Sequence, residues 1–391
     1  MDAADEKDNP GLKDRPWAAN VVAALAGLVL LALAEVALQV AEWGPENRIF
    51  VEEGEAYRLN GRVAERFFPR QYVRVAPGQV HFPRDKAAGA FRIFVLGAST
   101  LRGFPNPLGT SFPVFLQVML EDAYPRRRFE VVNCGITAIN SFVLLDFVDE
   151  IVAYEPDLVI IYAGHNEFVG PYGVTTPFLR FGNNWRWIRF HMMLQRSKIH
   201  YGLKELLHLL GRLAGEPASA SAFGLQLVRK EVYLDSEEHR ITEENYRRNL
   251  GEILARTQRR GVPVMLATLV SNLRGFYPLR SQEPHPRTEG DATRDSVEEQ
   301  VRFYESVLRD FPQHAAAHFD AARVFERAGE AARARGAYVR ARDLDTIHLR
   351  ACSPFNRILR EAAAGAGALL VDVEQVFAQD SPRGIIGDEL V

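Results

Sequence analysis

Apolar and polar positions along this chain alternate between two regimes. Short runs rich in β-branched and aromatic residues occur at 91–96, 129–132, 157–162, 262–270 and 368–373, and the first four run into Gly97, Asn133, Ala163-Gly164 and Ser271. Runs of this length bounded by turn residues predict buried strands. Between them the apolar positions recur at helical spacing, as in Phe115, Val118 and Met119 of 111–123 and Leu144, Leu145, Val148 and Ile151 of 141–154. Both stretches stop just before a proline, Pro125 and Pro156. Further helices are expected at 203–213, 243–260, 296–310 and 354–364.

Strands alternating with helices predict a parallel sheet covered on both faces. The expected architecture is a flavodoxin-like three-layer α/β/α domain, its five-stranded parallel sheet in order 2-1-3-4-5. Helical insertions interrupt it at 171–261 and 296–346.

The N-terminal pattern differs. Residues 1–15 are polar and read as a disordered tail. From 17 to 40 the chain is almost wholly apolar, broken by Asn20, Glu35 and Gln39. At the helical rise this stretch spans roughly 36 Å, enough for a hydrocarbon core of about 30 Å. Residues 16–43 are therefore a candidate transmembrane anchor, with Trp43 of an interfacial type and Glu35 expected near the far interface, in reach of water. Two other readings stay open, a signal peptide cleaved at Ala32-Leu33-Ala34 and a buried helix. Lys13 and Arg15 favour a cytoplasmic N-terminus and an extracytoplasmic catalytic domain. Residues 44–90, mixed and proline-punctuated with strand-like pieces such as 71–75, read as a juxtamembrane connector, and 91–391 as the main domain.

Composition narrows the partners. Of 391 residues 47% are hydrophobic, and Lys+Arg 47 against Asp+Glu 50 leaves a formal charge of −3. That balance points to neither nucleic acid nor a polyanion. Cys134 and Cys352 form no disulfide framework and no metal-ligand spacing, and are expected as buried free thiols. No cofactor or metal is implied.

Candidate chemistry gathers at the strand ends. Ser99 follows the 91–96 run in Gly97-Ala98-Ser99-Thr100, Gly135 follows the second run in Asn133-Cys134-Gly135, and Asn166 follows the third in Gly164-His165-Asn166-Glu167. Strand exits of an open α/β sheet are where ligands bind. A hydroxyl, a glycine N–H and an asparagine amide at three exits suit a nucleophile with oxyanion donors, against the simpler reading of Ser99 as a helix cap.

These three blocks resemble the SGNH, or GDSL-type, hydrolase superfamily. The resemblance covers residues 91–168 and, more loosely, 262–373. Ala98 and Glu167 stand where that family usually has Asp, which places the chain in a divergent branch. The resemblance implies a serine esterase or acyl hydrolase with Ser99 as nucleophile and Gly135 and Asn166 in the oxyanion hole. It implies an ester or acylated carbohydrate as substrate. It also implies an Asp and a His in a D-x-x-H motif after the fifth strand. No histidine follows His348 here. The string Asp345-Thr346-Ile347-His348 precedes that strand and reads as coincidence, with substitution for the pair left open because geometry defines a triad; otherwise the base is expected beyond residue 391 or the protein is an inactive relative. His165 is expected to shape the pocket or bond the backbone.

Two insertions carry further expectations. Residues 184–193, with aromatics interleaved with Arg186 and Arg189, either pack the insertion or meet a membrane surface or cleft. Between 296 and 346, Ala322, Phe325, Gly329, Ala334, Tyr338 and Ala341 fall where a tetratricopeptide repeat places its packing residues, giving about one and a half repeats. An ordinary helical hairpin fits the same pattern; the repeat reading adds a protein partner there. Asn272, at the fourth strand exit, is expected to cap its turn. A non-catalytic, membrane-tethered glycan- or protein-binding relative is the alternative function.

Overall fold

A computed structural model describes residues 16–44, 46–68, 80–104, 106–176, 184–213, 230–282 and 296–391. The expected tail at 1–15, with Lys13 and Arg15, and the strand-like piece at 71–75 lie outside the described residues.

In chain order the elements are α1 (Pro16–Val40), β1 (Phe50–Glu53), β2 (Ala56–Leu59), β3 (His81–Pro83), β4 (Ala90–Gly97), α2 (Ser99–Arg102), α3 (Phe112–Ala123), β5 (Arg128–Asn133), α4 (Ser141–Ile151) and β6 (Leu158–Tyr162). They continue with α5 (Trp185–Leu194), α6 (Lys198–Leu213), α7 (Glu237–Arg259), β7 (Val264–Ala267), α8 (Val297–Asp310), α9 (Ala315–Arg327), α10 (Ala331–Leu344), α11 (Ser353–Ala366), β8 (Leu369–Val371) and α12 (Val373–Asp380). The chain divides into two compact units, one of residues 1–47 with 190–219 and one of 48–189 with 220–391.

The larger unit holds a five-stranded parallel sheet in order β5-β4-β6-β7-β8, the expected 2-1-3-4-5. Register puts Val95, Ile160, Met265 and Leu369 in one row across it. Since side chains alternate along a strand, this row shares a face with Ile93, and its Val95, Ile160 and Met265 pack with Leu101, Leu116 and Leu120 of α2 and α3. Phe94 points the other way, stacking on Tyr154 just after α4, and α4, α7 and α11 pack together. Fold class is thus α/β with helices on both faces. Cover thins toward the edge, where Leu369 is 53% exposed and Val371 39%, while Met119 of α3 is 68% exposed.

The described parts of the stretch expected to be a connector form a three-stranded antiparallel sheet, β1-β2-β3. Phe50, Tyr57 and Phe82 meet Tyr154 edge-on, and Phe50 and Phe82 also meet Phe94. The single charge in the first strand of the main sheet is used there. Arg92, 1% exposed, donates to Glu130 at 2.7 Å, to the Tyr154 carbonyl at 2.9 Å and to the Pro83 carbonyl at 2.9 Å. A guanidinium needs this many acceptors to be buried without a large desolvation cost.

Helices α8, α9 and α10 pack through Tyr304, Phe319, Phe325, Ala334, Tyr338 and Ala341. Small residues let α9 and α10 approach closely, and Gly329, at φ +79°, makes the turn between them.

In the smaller unit, residues Ala19–Val40 are long and apolar enough to cross a membrane, with a mean hydropathy of 2.6 and none of the segment buried. Glu35 does not simply reach toward water. Its carboxylate accepts the Ser197 hydroxyl at 2.7 Å and the backbone N–H groups of Lys198 and Ile199 at 2.8 and 3.0 Å. It satisfies first-turn donors of α6 that have no partner within the helix. Trp43 meets Tyr201 edge-on at 5.8 Å, and a Cβ at Gly202 would lie 2.8 Å from the Trp43 ring. Along α6, Leu203, Leu206, Leu207 and Leu210 form an exposed stripe at helical spacing.

Candidate active site

Residues Ser99, Gly135 and Asn166 follow β4, β5 and β6, three adjacent strands of the sheet. Parallel strands in register release their chains at one edge, so the three exits lie side by side. Ser99 opens α2 and is half-buried, and its hydroxyl has no hydrogen-bond partner among the described residues.

Gly135 lies against the turn that carries Ser99. A Cβ there would sit 2.7 Å from the Arg102 backbone nitrogen, a separation side-chain carbons do not tolerate. Asn133 makes the latch. It donates to the Leu101 carbonyl at 3.1 Å and the Ser111 hydroxyl at 3.2 Å, and its Oδ1 accepts the Gly135 N–H at 2.8 Å. The N–H expected to face an oxyanion is therefore held by Asn133.

Gly164 permits the turn after β6. Its φ is +151°, and a Cβ would lie 2.5 Å from Leu269 Cδ1. Tyr246 of α7 clamps the same turn, donating its hydroxyl to the Ala163 carbonyl at 2.6 Å. Asn166 follows, donating one amide hydrogen to the Ile139 carbonyl at 3.0 Å. Glu167, in the usual Asp position, is buried and accepts the Ser141 N–H and hydroxyl at 2.9 and 2.6 Å. Burial raises its pKa to about 7, with the Ser141 hydrogen bonds opposing the rise.

His165 bonds the backbone, as one of its expected roles. Its Nδ1 accepts the Ala351 N–H at 3.1 Å, which leaves the proton on Nε2, a shielded atom with no partner. Burial, then the Arg342 and Arg350 charges, push its pKa down to about 4, so the ring is neutral near pH 7. With its lone pair engaged, His165 is a hydrogen-bond donor rather than a base.

The D-x-x-H string does not act as an Asp–His pair. Asp345 accepts the N–H groups of Leu279, Arg280 and Ile347, at 2.9, 3.1 and 3.1 Å. His348 is buried, donating Nε2–H to the Val232 carbonyl at 3.0 Å while its Nδ1 lies 3.1 Å from Cys352 Sγ. Burial, first of all, pushes the His348 pKa down to about 3. Among the described residues no histidine is hydrogen-bonded to Ser99.

Asn272 closes its own turn, its Oδ1 accepting the Gly275 N–H at 2.6 Å, while its amide donates to Asp388 at 2.6 Å. Both cysteines are free and buried. Cys352 is not isolated, however: a ligand atom from each of His239, His348 and Cys352 lies within 4.8 Å of the others. Sequence spacing gave no sign of this group, because His239 is far from the other two along the chain and only folding brings α7 to them.

No family model and no curated protein matches this chain. Among solved structures it is similar to the lipase/acylhydrolase from Enterococcus faecalis, at 12% identity over 77% of this chain and 88% of that one, with a TM-score of 0.32. It is also similar to Axe2, an acetylxylan esterase from Geobacillus stearothermophilus, at 15% identity over 72% and 75%, TM-score 0.30. A third is AlinE4, an SGNH-hydrolase family esterase, at 15% identity over 56% and 96%, TM-score 0.26.

Proposed function

We propose that this protein is a serine ester hydrolase of the SGNH type, held at a membrane by α1, with its catalytic domain extracytoplasmic and acyl or acetyl groups on a carbohydrate as its substrate class. The observation that carries the reading is the unpartnered Ser99 hydroxyl at the first of three adjacent strand exits. In this reading Ser99 Oγ attacks the ester carbonyl and becomes the acyl carrier. Oxyanion donors are the Ser99 N–H, the Asn166 amide hydrogen not given to Ile139, and the Gly135 N–H once Asn133 releases it. Water then deacylates the serine. Neither His165, whose Nδ1 lone pair is held by the Ala351 N–H, nor His348, whose nitrogens meet Val232 and Cys352, is placed to take the Ser99 proton. Anchoring is supported by the apolar length of α1 and by the exposed leucine stripe of α6, a pattern suited to a lipid interface.

A fluorophosphonate probe and a chromogenic acetyl ester test this directly. The probe should label wild type and not Ser99→Ala. Because no base is joined to Ser99 here, added imidazole should raise ester turnover in wild type and leave Ser99→Ala unchanged. Equal labelling of both proteins would overturn the assignment.

One observation favours the non-catalytic alternative. A cleft of about 860 Å³ beside α9 and α10 is lined by four arginines, Arg274, Arg323, Arg327 and Arg383, against two carboxylates, Asp320 and Glu326, the latter paired with Arg274 at 3.1 Å. Its arginines suit an acidic partner segment, as the repeat reading of 296–346 would have it. Retained binding of such a partner in Ser99→Ala, with no ester turnover in wild type, would favour this reading.

A further inference from the structure

Outside the proposed active site, the larger unit contains a second group of chemically capable side chains that the ester reading leaves unused. His239 lies in the first turn of α7, His348 in the segment between α10 and α11, and Cys352 at the N-cap of α11. All three are at most 3% exposed.

The tautomers of both rings follow from their other partners. His239 Nδ1 lies 3.0 Å from the Glu243 carboxylate, which only accepts, so Nδ1 carries the proton and Nε2 presents a lone pair. That Nε2 is buried and has no partner. His348 donates Nε2–H to the Val232 carbonyl, so its Nδ1 likewise presents a lone pair, 3.1 Å from Cys352 Sγ. Histidines that bind metals are held in this way, one nitrogen on a carboxylate or carbonyl and the other facing the ion. An orphaned lone pair in a buried apolar setting is otherwise a cost without a return. Phe168, stacked 4.3 Å from the His348 ring and 5.0 Å from His239, walls the group.

We propose that His239, His348 and Cys352 form a three-coordinate site for a monovalent copper ion. Two imidazole nitrogens and a thiolate are a soft donor set, which selects thiophilic ions. Charge chooses among these. Cu⁺ replaces the Cys352 S–H proton, which leaves to solvent, so ion and thiolate sum to zero, as a fully buried site requires. Zn²⁺ with one thiolate would leave a net positive charge in a buried site and would ask for a fourth ligand. Among the described residues no fourth His, Cys, Asp or Glu joins the group. The ion would pin α7 and the α10–α11 segment beside Phe168, directly after the Asn166 turn.

The full chain, reduced and freed of metal, would be titrated with Cu(I) against a chromogenic Cu(I) chelator. One equivalent should bind and raise the melting temperature. Cys352→Ser should lose binding by more than about 100-fold, Glu243→Ala by roughly 10–100-fold through loss of the acceptor that orients His239, and Cys134→Ser by nothing. If Cys352→Ser fails to fold, X-ray absorption of copper-loaded wild type decides, with one sulfur and two nitrogen neighbours expected. No stoichiometric binding, equal loss in Cys134→Ser, a different copper ligand set, or tighter binding of Zn(II) than of Cu(I) would each overturn the proposal. None of these readouts depends on ester hydrolysis.

Discussion

Glu167 receives both hydrogen bonds that Ser141 can donate, from its backbone N–H at 2.9 Å and its hydroxyl at 2.6 Å. It thereby ties the Asn166 turn to the first residue of α4. The cost is a buried carboxyl whose pKa is raised to about 7. In the unfolded chain this group ionises near 4.5, so between the two values the folded protein holds the extra proton. Stability is then greatest below the unfolded value and declines as pH rises toward 7, by roughly 3 kcal/mol in all. Urea melts from pH 4 to 8 should show this decline in wild type and a flatter profile in Glu167→Gln. Parallel profiles would mean that Glu167 is not the group responsible.

The buried Arg92–Glu130 pair makes a different prediction. Removing one partner leaves the other charge buried, which costs about 3–5 kcal/mol, whereas replacing both with apolar residues costs much less. Arg92→Met alone should therefore destabilise more than Arg92→Met with Glu130→Leu. Denaturant midpoints of the two variants check this order, and the reverse order would remove the pair from the account of the core.

Asn166→Ala should lower the rate constant for acylation of Ser99 by roughly 10²–10³-fold while leaving the fold intact, as loss of one oxyanion donor does. Stopped-flow kinetics with an activated ester give the rate, and circular dichroism the fold. An unchanged rate would take Asn166 out of the proposed site.

Gly135→Ala should be worse for the fold than for chemistry alone. Its Cβ would press on the Arg102 backbone nitrogen, so α2 and Ser99 must shift. Both melting temperature and fluorophosphonate labelling should fall, and a variant as stable as wild type would show that the close approach is relieved elsewhere.

Within the smaller unit, Glu35→Ala should free the first-turn N–H groups of α6, at a cost of about 1 kcal/mol. Hydrogen exchange at Lys198 and Ile199 would quicken, and Glu35→Gln, which keeps an acceptor, should show a smaller change. Identical exchange in all three proteins would argue against the cap.

Much of the architecture was written in local pattern. Five apolar runs, four of them ending at turn residues, gave the five strands, and alternation with helices gave a parallel sheet whose order the structure bears out, because burial on both faces demands continuous apolar strands. The length of α1 was equally legible. So were the positions of Ser99, Gly135 and Asn166 just past three strands, since a strand exit is a local event. What those residues then touch was not. Asn133 bonding Leu101 and Ser111, Glu35 capping α6 and Arg92 meeting Glu130 are pairings between segments remote in sequence, set only once the chain packs. The same is true of His239, His348 and Cys352. A spacing rule finds ligands that share one turn or helix, whereas this group exists because α7 and the start of α11 lie side by side. Tertiary structure also decided that the D-x-x-H string is no dyad: Asp345 is consumed by backbone N–H groups and His348 by Val232 and Cys352, since buried polar atoms take the nearest partners that packing supplies.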